Sequence, residues 1–200
     1  MDVTVVIATF GDDHWAELAV ERAMPSVPDN VPVVLSHADT LHDARNQGLD
    51  KVTTEYVCHL DADDELTPDY FTHMAAATGD VRAPAVQYIR HGIEQAPAIP
   101  QVWAHEHECT GDCLPQGNWI IVGAVARTQL LRDIGGWTPE PIYEDWALWL
   151  RCHLAGATFA RVPDAVYRAH VRADSRNRGA GRHFKNDWHH TIAATYMGAA

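Results

Sequence analysis

Four acidic side chains stand within five positions at the end of one largely apolar run. The run is Tyr56–Leu60, and the acids are Asp61, Asp63, Asp64 and Glu65. A strand that ends in this way brings carboxylates to its C-terminal edge, where open α/β sheets bind their ligands. Clustered carboxylates need a cation, and hard divalent ions prefer oxygen ligands. The stretch therefore predicts a metal site.

A second interpretation gives the later polar residues of this stretch a structural task. A helix that begins near Pro68 would favour acids in its first turn, because carboxylates complement the positive end of the helix dipole. This interpretation suits Asp64, Glu65, Thr67 and Asp69. It suits Asp61 and Asp63 less well, since both directly continue the strand.

The elements that must position these acids alternate between strands and helices. Val3–Phe10 is a β-branched run typical of a strand buried on both faces. A helical pattern over His14–Met24, ended by Pro25, and a strand over Val31–Leu35 complete a βαβ unit, which predicts parallel strands. The pattern repeats with a helix from the possible N-cap Asp39 to Leu49, the strand Tyr56–Leu60, a helix over Pro68–Ala77 and a strand over Val81–Ile89. The chain is therefore predicted to be an α/β protein.

The second half of the chain predicts shorter elements. These are a buried strand over Trp119–Ala126, a short helix over Thr128–Asp133 and a turn at Gly135–Trp137. The next apolar residues predict a helix whose first turn carries Glu144 and Asp145. A last helix over His183–Tyr196 is expected to pack back on the domain or to mediate a homodimer.

The composition limits the classes of partner. Two hundred residues fit one ordinary domain, and the formal charge of −12 disfavours nucleic acid and anionic membranes. No apolar run approaches 18 residues, and Met1–Ile7 is typical of a strand and not of a signal peptide. We therefore expect no transmembrane segment and a cytoplasmic protein. The four scattered cysteines predict reduced thiols.

The segment 96–117 has the least regular pattern. It carries three prolines and four residues of types that bind zinc, His105, His107, Cys109 and Cys113. Their spacing matches no common structural zinc site. Two interpretations stay open, a structural zinc ion and a loop that covers the active site.

Two blocks of this sequence resemble the family 2 glycosyltransferases of the GT-A fold. The first block joins Ala44–Leu49 to Thr54–Asp64, which contains a sequence similar to the family's Asp-x-Asp metal motif. The second joins Gly135–Trp137 to Glu144–Arg151 and resembles the family's GGF and EDxxLxxR sequences. Tyr167–His170 is similar to the family's closing YRxH. Two motifs in the family's order bracket roughly residues 3 to 172.

The resemblance implies a fold and a reaction. The fold is a single GT-A-like domain over residues 1–174, Rossmann-like with three layers and a mostly parallel sheet, followed over 175–200 by a mobile loop and the C-terminal helix. The reaction is the metal-dependent, inverting transfer of a sugar, of the hexosyltransferase class. The donor would be a nucleotide-diphosphate sugar, with UDP-sugars favoured, and the acceptor a hydroxyl of an unknown glycan, protein or small molecule.

The resemblance also implies roles for the acids. Asp63 would bind Mn²⁺ or Mg²⁺, with His170 as the second protein ligand. Asp145 would be the general base for the acceptor hydroxyl, with Glu144 as the alternative. Helix-dipole complementation is the competing interpretation of both Asp145 and Glu144.

The donor and the sugar would contact other residues at matching positions. The donor nucleotide would contact Ala8, Thr9, Phe10, Arg45 and Asp61, the last toward the ribose. Trp119 and Trp146 could stack on a sugar, although large apolar residues are as often in the core. Arginines 168, 172, 176, 178 and 182 form either a solvated face or a segment that folds over the diphosphate.

One departure from the family affects the donor base. The family usually has an acidic pair after the second strand, followed by another helix and strand. Here Ser36–Asp39 occupies that place, and the chain runs directly on. Asp39 could take over the role of the acidic pair, so the identity of the base stays open.

Two other functions stay open. A nucleotidyltransferase also uses paired acids and a metal, but it would need a glycine-rich basic loop where Phe10–Asp13 is acidic. A non-catalytic sugar-nucleotide or metal-binding module would account for the 13 histidines. The intact acids at both expected places favour an enzyme.

Overall fold

A mixed β-sheet forms the centre of the computed structural model, which describes residues 1–102, 108–172 and 181–197. The strands are β1 (Val3–Phe10), β2 (Val33–Ala38), β3 (Tyr56–Asp61), β4 (Glu65–Leu66), β5 (Val81–Arg90), β6 (Ile93–Glu94), β7 (Val125–Arg127) and β8 (Phe159–Val171). They lie in the order β2-β1-β3-β7-β5-β8-β4, and β6 pairs with β5.

The long strand pairings are parallel and the short ones are antiparallel. Strand β1 pairs in parallel with β2 and β3, and β5 pairs in parallel with β8. Strand β7 is antiparallel to both of its neighbours, β3 and β5, so β3 and β5 run in the same direction. The predicted α/β class with a mostly parallel sheet is confirmed.

Helices connect and cover the strands. They are α1 (His14–Leu18), α2 (Leu41–Asp50), α3 (Tyr70–Ala76), α4 (Thr128–Asp133), α5 (Glu144–Leu154) and α6 (Arg182–Met197). Helix α1 continues as a π-helical turn over Ala19–Ala23 and a 3₁₀ turn over Met24–Ser26. Helix α2 lies directly on β1 and β2, since a Cβ at Gly48 would be 2.4 Å from Val6 Cγ1 and 2.8 Å from Ser36 Oγ.

The C-terminal helix α6 packs on α5, as predicted. The rings of Trp146 and His189 are 4.4 Å apart, and Ile192 is only 1% exposed. The loop predicted before this helix falls largely at residues 173–180, outside the described residues. No helix in the described ranges is both long and apolar enough to span a membrane. All four cysteines are buried and form no disulfide.

Several element boundaries differ from the predictions. Strand β2 begins two residues later than predicted and extends to Ala38, because its pairing with β1 continues to Phe10. Thr40, not Asp39, is the N-cap of α2, and Thr40 Oγ1 accepts a hydrogen bond from the Asp43 N–H (3.3 Å). Helix α3 also begins two residues after its predicted start.

The strand predicted over Trp119–Ala126 is wrong for most of its length. Only the last two of these residues belong to β7. Before them the chain turns at Gly123, where the Ala124 N–H donates to the Ile121 carbonyl (3.2 Å). The segment is apolar because irregular backbone carries its side chains into the core, where Trp119 is 1% exposed.

We expect Gly123→Ala to destabilise the protein. A Cβ at position 123 would be 2.1 Å from Cδ2 of Tyr167, whose side chain is fully buried. Overpacking of this kind lowers the free energy of unfolding by about 1–3 kcal/mol, which urea denaturation would measure. Gly181→Ala is the control, since a Cβ there meets no atom within 4 Å. Equal stabilities of the two variants would contradict this packing.

Candidate active site

One buried guanidinium joins three segments at the edge where β1 and β3 end. Arg45, on α2, is 2% exposed. It donates to Asp61 Oδ1 (2.8 Å) at the end of β3 and to Glu144 Oε1 (3.2 Å) at the start of α5. Its Cζ also lies 4.1 Å from the ring centroid of Trp137. Burial alone would lower the pKa of Arg45, but Asp61 and Glu144 raise it, so Arg45 is a fixed cation.

The neighbouring Asn46 fixes the turn that carries Trp137. Its amide nitrogen donates to the Trp137 carbonyl (2.9 Å), and its amide oxygen accepts from the Trp137 N–H (2.8 Å). Gly136 has φ +67°, and a Cβ there would be 2.3 Å from the Asn46 oxygen. Arg151 donates to the carbonyls of Gly136 (2.5 Å) and Ile134 (2.9 Å). The two sequence blocks therefore meet through hydrogen bonds.

A neutral histidine, His59, hydrogen-bonds both Trp137 and the backbone of Arg45. The indole N–H of Trp137 donates to His59 Nε2 (3.1 Å). Burial and the charge of Arg45 lower the pKa of His59 to about 3, and the imidazole also hydrogen-bonds the Arg45 backbone. His59 is thus uncharged at neutral pH, which suits an acceptor of the indole hydrogen.

A cleft of about 320 Å³ opens in front of these groups. Its lining brings together most of the site residues predicted from the sequence: Ala8, Thr9, Phe10, Arg45, Asp61, Asp63, Glu144 and Asp145. Residues from β1, the turn after β3 and the start of α5 thus face one space. Thr9 is further fixed by a hydrogen bond between its Oγ1 and His37 Nδ1 (3.0 Å).

Four predicted site residues lie outside this lining, and two of them are His170 and Asp39. His170 Nε2 is 2.6 Å from Glu65 Oε2. The alternation of β8 places Tyr167 and Ala169 at the cleft and the His170 ring on the other face. Its role as a metal ligand stays a prediction that this arrangement does not favour. Asp39 is exposed in the connection before α2.

Trp119 and Trp146 belong to the core and do not line the cleft. Each is 1% exposed. The indole N–H of Trp119 donates to the Thr110 carbonyl (2.9 Å), and that of Trp146 donates to the Leu114 carbonyl (2.8 Å). This corrects the prediction that they form a sugar pocket. Their size and apolar surface reflect burial in the core, which was the competing interpretation of these two residues.

The zinc interpretation receives no structural support. His105 and His107 lie outside the described residues. Cys109 and Cys113 are buried. In the described part of the chain, no group of three or more His, Cys, Asp or Glu side chains is arranged to hold a metal ion.

Asp63 occupies the turn after β3. Burial and the nearby Asp61 raise its pKa to about 6, while Arg172 and Arg22 oppose the rise. Arg22, in the π-helical turn, donates to the Asp63 carbonyl (2.9 Å) and so holds this turn. Magnesium in proteins commonly takes one or two carboxylates and completes its shell with waters and substrate phosphates. Asp63 fits a site of that kind, because carboxylates that repel one another gain from a bound cation.

Asp64 is the site residue that sequence reasoning missed. Only 8% exposed, it accepts hydrogen bonds from the Tyr167 hydroxyl (2.8 Å) and the His170 N–H (2.7 Å). Burial, Asp63 and Asp61 raise its pKa well above the ordinary value. Asp64 therefore ties the acidic turn to β8. The sequence offered a signal only in the direct succession of Asp63 and Asp64, which also suits an exposed turn.

Asp145 faces the acidic turn from the first turn of α5. Burial and the neighbouring Glu144 raise its pKa to about 7, although the Trp146 N–H (2.8 Å) and Arg45 oppose the rise. Tyr143, just before the helix, has φ +60°, a conformation that costs a non-glycine residue energy. A carboxylate with a pKa near 7 combines a useful ionised fraction with real proton affinity, as a general base requires.

Comparison with known proteins finds a match to one family model over part of the chain. Residues 12–108 match the model of glycosyl transferase family 2. The chain is similar to the amylovoran biosynthesis glycosyltransferase AmsE of Erwinia amylovora, with 25% identity over 144 residues. This match covers 69% of the chain and 53% of AmsE, so the chain spans about half the length of this curated relative.

Solved structures of S. aureus TarS share the fold. TarS 1-349 in complex with UDP-GlcNAc matches all of this chain and 67% of that chain, with a TM-score of 0.71 and 18% identity. The complex with UDP matches 86% of this chain and 61% of that chain, with a TM-score of 0.61 and the same identity. The fold is that of the GT-A glycosyltransferases.

We expect Asp145→Asn to change how stability depends on pH. The pKa of Asp145 is raised to about 7 in the folded protein, so the folded state binds this proton more tightly than the unfolded state. The free energy of unfolding should therefore fall as pH rises from about 4 to about 7. The amide of the variant cannot ionise, so part of this decrease in the free energy of unfolding should disappear.

Urea denaturation across this pH range would measure the effect. Each unit of pKa difference corresponds to about 1.4 kcal/mol, so the two pH profiles should diverge by a few kcal/mol. The pKa values of Asp63 and Asp64 are also raised, so these two residues should leave a residual pH dependence of stability in the variant. Asp133→Asn, on an exposed position of α4, controls for the lost charge. Parallel profiles of wild type and Asp145→Asn would refute a raised pKa.

Proposed function

We propose that the chain, of which residues 12–108 match the model of glycosyl transferase family 2, transfers a sugar from a nucleotide-diphosphate sugar to a hydroxyl group, with Asp145 as the general base. The observation that carries this proposal is that two sets of acidic side chains from different elements line one cleft. Asp61 ends β3 and Asp63 lies in the turn after it, while the half-buried Asp145, with its pKa near 7, lines the same cleft from the start of α5.

The donor side of the cleft suits a nucleoside diphosphate. Asp61 Oδ1 is held by Arg45, and the Asp61 side chain remains 38% exposed, so its other oxygen can accept from a ribose hydroxyl. Ala8 and Thr9 at the end of β1 supply the wall beside it. The TarS complexes, whose fold matches this chain, hold UDP-GlcNAc and UDP. A UDP-sugar is therefore the favoured donor.

A divalent cation would be held at Asp63. When bound, Mn²⁺ or Mg²⁺ supplies positive charge that stabilises the leaving diphosphate. Asp64 is less suited as a ligand, because its two oxygens already accept hydrogen bonds from Tyr167 and the His170 N–H. Arg22 fixes the turn through the Asp63 carbonyl.

Asp145 lies on the side of the cleft where the acceptor would bind. Its carboxylate would take the proton of the acceptor hydroxyl as that oxygen attacks the anomeric carbon and the diphosphate departs. A single displacement of this kind inverts the anomeric configuration. Glu144 is the weaker candidate, since its Oε1 accepts from Arg45 and its negative charge already balances that cation.

We expect UDP to bind in the presence of Mn²⁺ and to require Asp63. Wild-type protein should show a metal-dependent rise in melting temperature with one of UDP, GDP, CDP or dTDP, because a ligand of the native state stabilises it by mass action. Asp63→Asn should weaken nucleotide binding with Mn²⁺ at least tenfold by calorimetry. Asp69→Asn makes the same change at an exposed position six residues later and is the control. A folded wild type that binds none of these nucleotides would favour a non-catalytic module with another ligand.

We expect Asp145→Asn to abolish turnover and to leave nucleotide binding intact. General bases contribute about 10²–10⁴-fold to rates, so nucleotide release from the donor sugar should fall by at least 100-fold. The affinity for the nucleotide with Mn²⁺ should stay within about twofold of wild type, since Arg45 retains Asp61 and Glu144. Unchanged turnover in this variant would remove Asp145 as the base.

A further inference from the structure

We infer that Tyr88 is the stacking platform of a subsite for a saccharide acceptor. This inference rests on the proposed function and deepens it, because it names the chemical class of the acceptor and the residue that receives it. Tyr88 lies on β5 and lines the same cleft as Asp145.

The exposure of Tyr88 distinguishes it from the other apolar side chains. Its side chain is 37% exposed. The other large apolar residues described with comparable exposure are Met1, Val20, Leu35, Ile93, Leu154 and Phe184, and none of these lines the cleft. An aromatic ring left open inside a cleft is a surface for a ligand with an apolar face. The C–H face of a pyranose is such a surface, and aromatic side chains pack against it.

The position of β5 in the sheet separates Tyr88 from the nucleotide. Strands β1, β3 and β5 run in the same direction, so their C-terminal ends share one edge. Because neighbouring strands are about 4.8 Å apart, β5 lies about 10 Å from β3 and about 14 Å from β1. The edge thus presents in sequence the nucleoside side at β1, the diphosphate side at β3 and Tyr88 at β5.

Tyr88 and Asp145 line the same cleft. Burial and the charge of Asp145 raise the pKa of the Tyr88 hydroxyl, and Arg90 opposes the rise. A sugar ring stacked on Tyr88 would present its hydroxyls to the space that Asp145 lines. The Arg90 guanidinium lies over one face of the Tyr88 ring, with its Cζ 5.7 Å from the ring centroid, so the sugar would stack on the opposite face.

The sheet fixes the backbone of Tyr88 on both sides. Tyr88 is paired in register with Ala169 of β8, whose small side chain also lines the cleft and leaves the ring open. On the other side, the Gln95 N–H donates to the Tyr88 carbonyl (2.9 Å). Ile121 and Val122 complete an apolar wall. A fixed aromatic loses little entropy on binding, which favours recognition.

Binding of methyl glycosides would test this inference. Methyl glycosides of common hexoses and N-acetylhexosamines are suitable probes, because they have no aromatic aglycone that could stack by itself. NMR titrations with UDP and saturating Mg²⁺, which unlike Mn²⁺ is diamagnetic, should detect at least one that binds wild type. Tyr88→Ala should weaken that glycoside at least tenfold, and Tyr88→Phe should stay within about threefold, since stacking needs the ring and not the hydroxyl. Tyr88→Leu keeps the apolar volume without the flat ring and should also weaken binding.

Two controls separate this inference from the proposed function. Ile93→Ala, on the same hairpin but outside the cleft, should change neither affinity. The affinity for UDP with Mn²⁺ should be equal in all Tyr88 variants. Unchanged glycoside binding in Tyr88→Ala, an equal loss of UDP affinity, or a wild type that binds no glycoside would each overturn the platform. The proposed function would fail differently, by a wild type that binds no nucleotide with Mn²⁺.

Discussion

The buried guanidinium of Arg45 is the constraint on which the site depends. A buried charge is tolerated only when it is paired and hydrogen-bonded, and here the partners are Asp61 and Glu144, 16 and 99 residues away in the chain. Since these acids lie at the end of β3 and the start of α5, satisfying one cation fixes the distance between the two walls of the cleft. Trp137 and Asn46 extend this constraint to the turn between α4 and α5.

Arg45 also gives two adjacent acids, Glu144 and Asp145, different properties. Glu144 and Asp145 are neighbours in the first turn of α5, but Arg45 neutralises Glu144, and burial leaves Asp145 with a pKa near 7. Asp63 and Asp64 show a similar division, since both line the cleft but hydrogen bonds already occupy the two oxygens of Asp64. In both pairs one acid is structural and its neighbour is available for chemistry.

The sequence predicted those elements that depend on interactions between residues close together in the chain. The β-branched run of β1, the acids that follow β3 and the helix Thr128–Asp133 all appear where expected, because strand burial and helix periodicity leave a signal in the sequence. Packing between distant segments left no such signal. The sugar-pocket prediction for Trp119 and Trp146 was wrong because their apolar surfaces serve the core. The role of His170 as a metal ligand stays a prediction, and the direction of its ring follows from the alternation of β8. Which face of β5 meets the cleft depends on its register with β8, so the exposure of Tyr88 left no local signal.

The largest error in the predicted fold also lies beside the cleft. Strand β7 pairs only with the beginnings of its neighbours, Tyr56–Cys58 of β3 and Val81–Arg82 of β5. Toward its C-terminal end, β5 pairs with β6 instead, Val86 forms a bridge with Ala98, and the chain before β7 turns at Gly123. Had the whole apolar segment Trp119–Ala126 been a strand, it would have continued along β3 and competed for the edge of β5 that β6 and Ala98 occupy. The short β7 keeps β3 and β5 parallel, and the irregular backbone before it brings Ile121 and Val122 to the lining of the cleft.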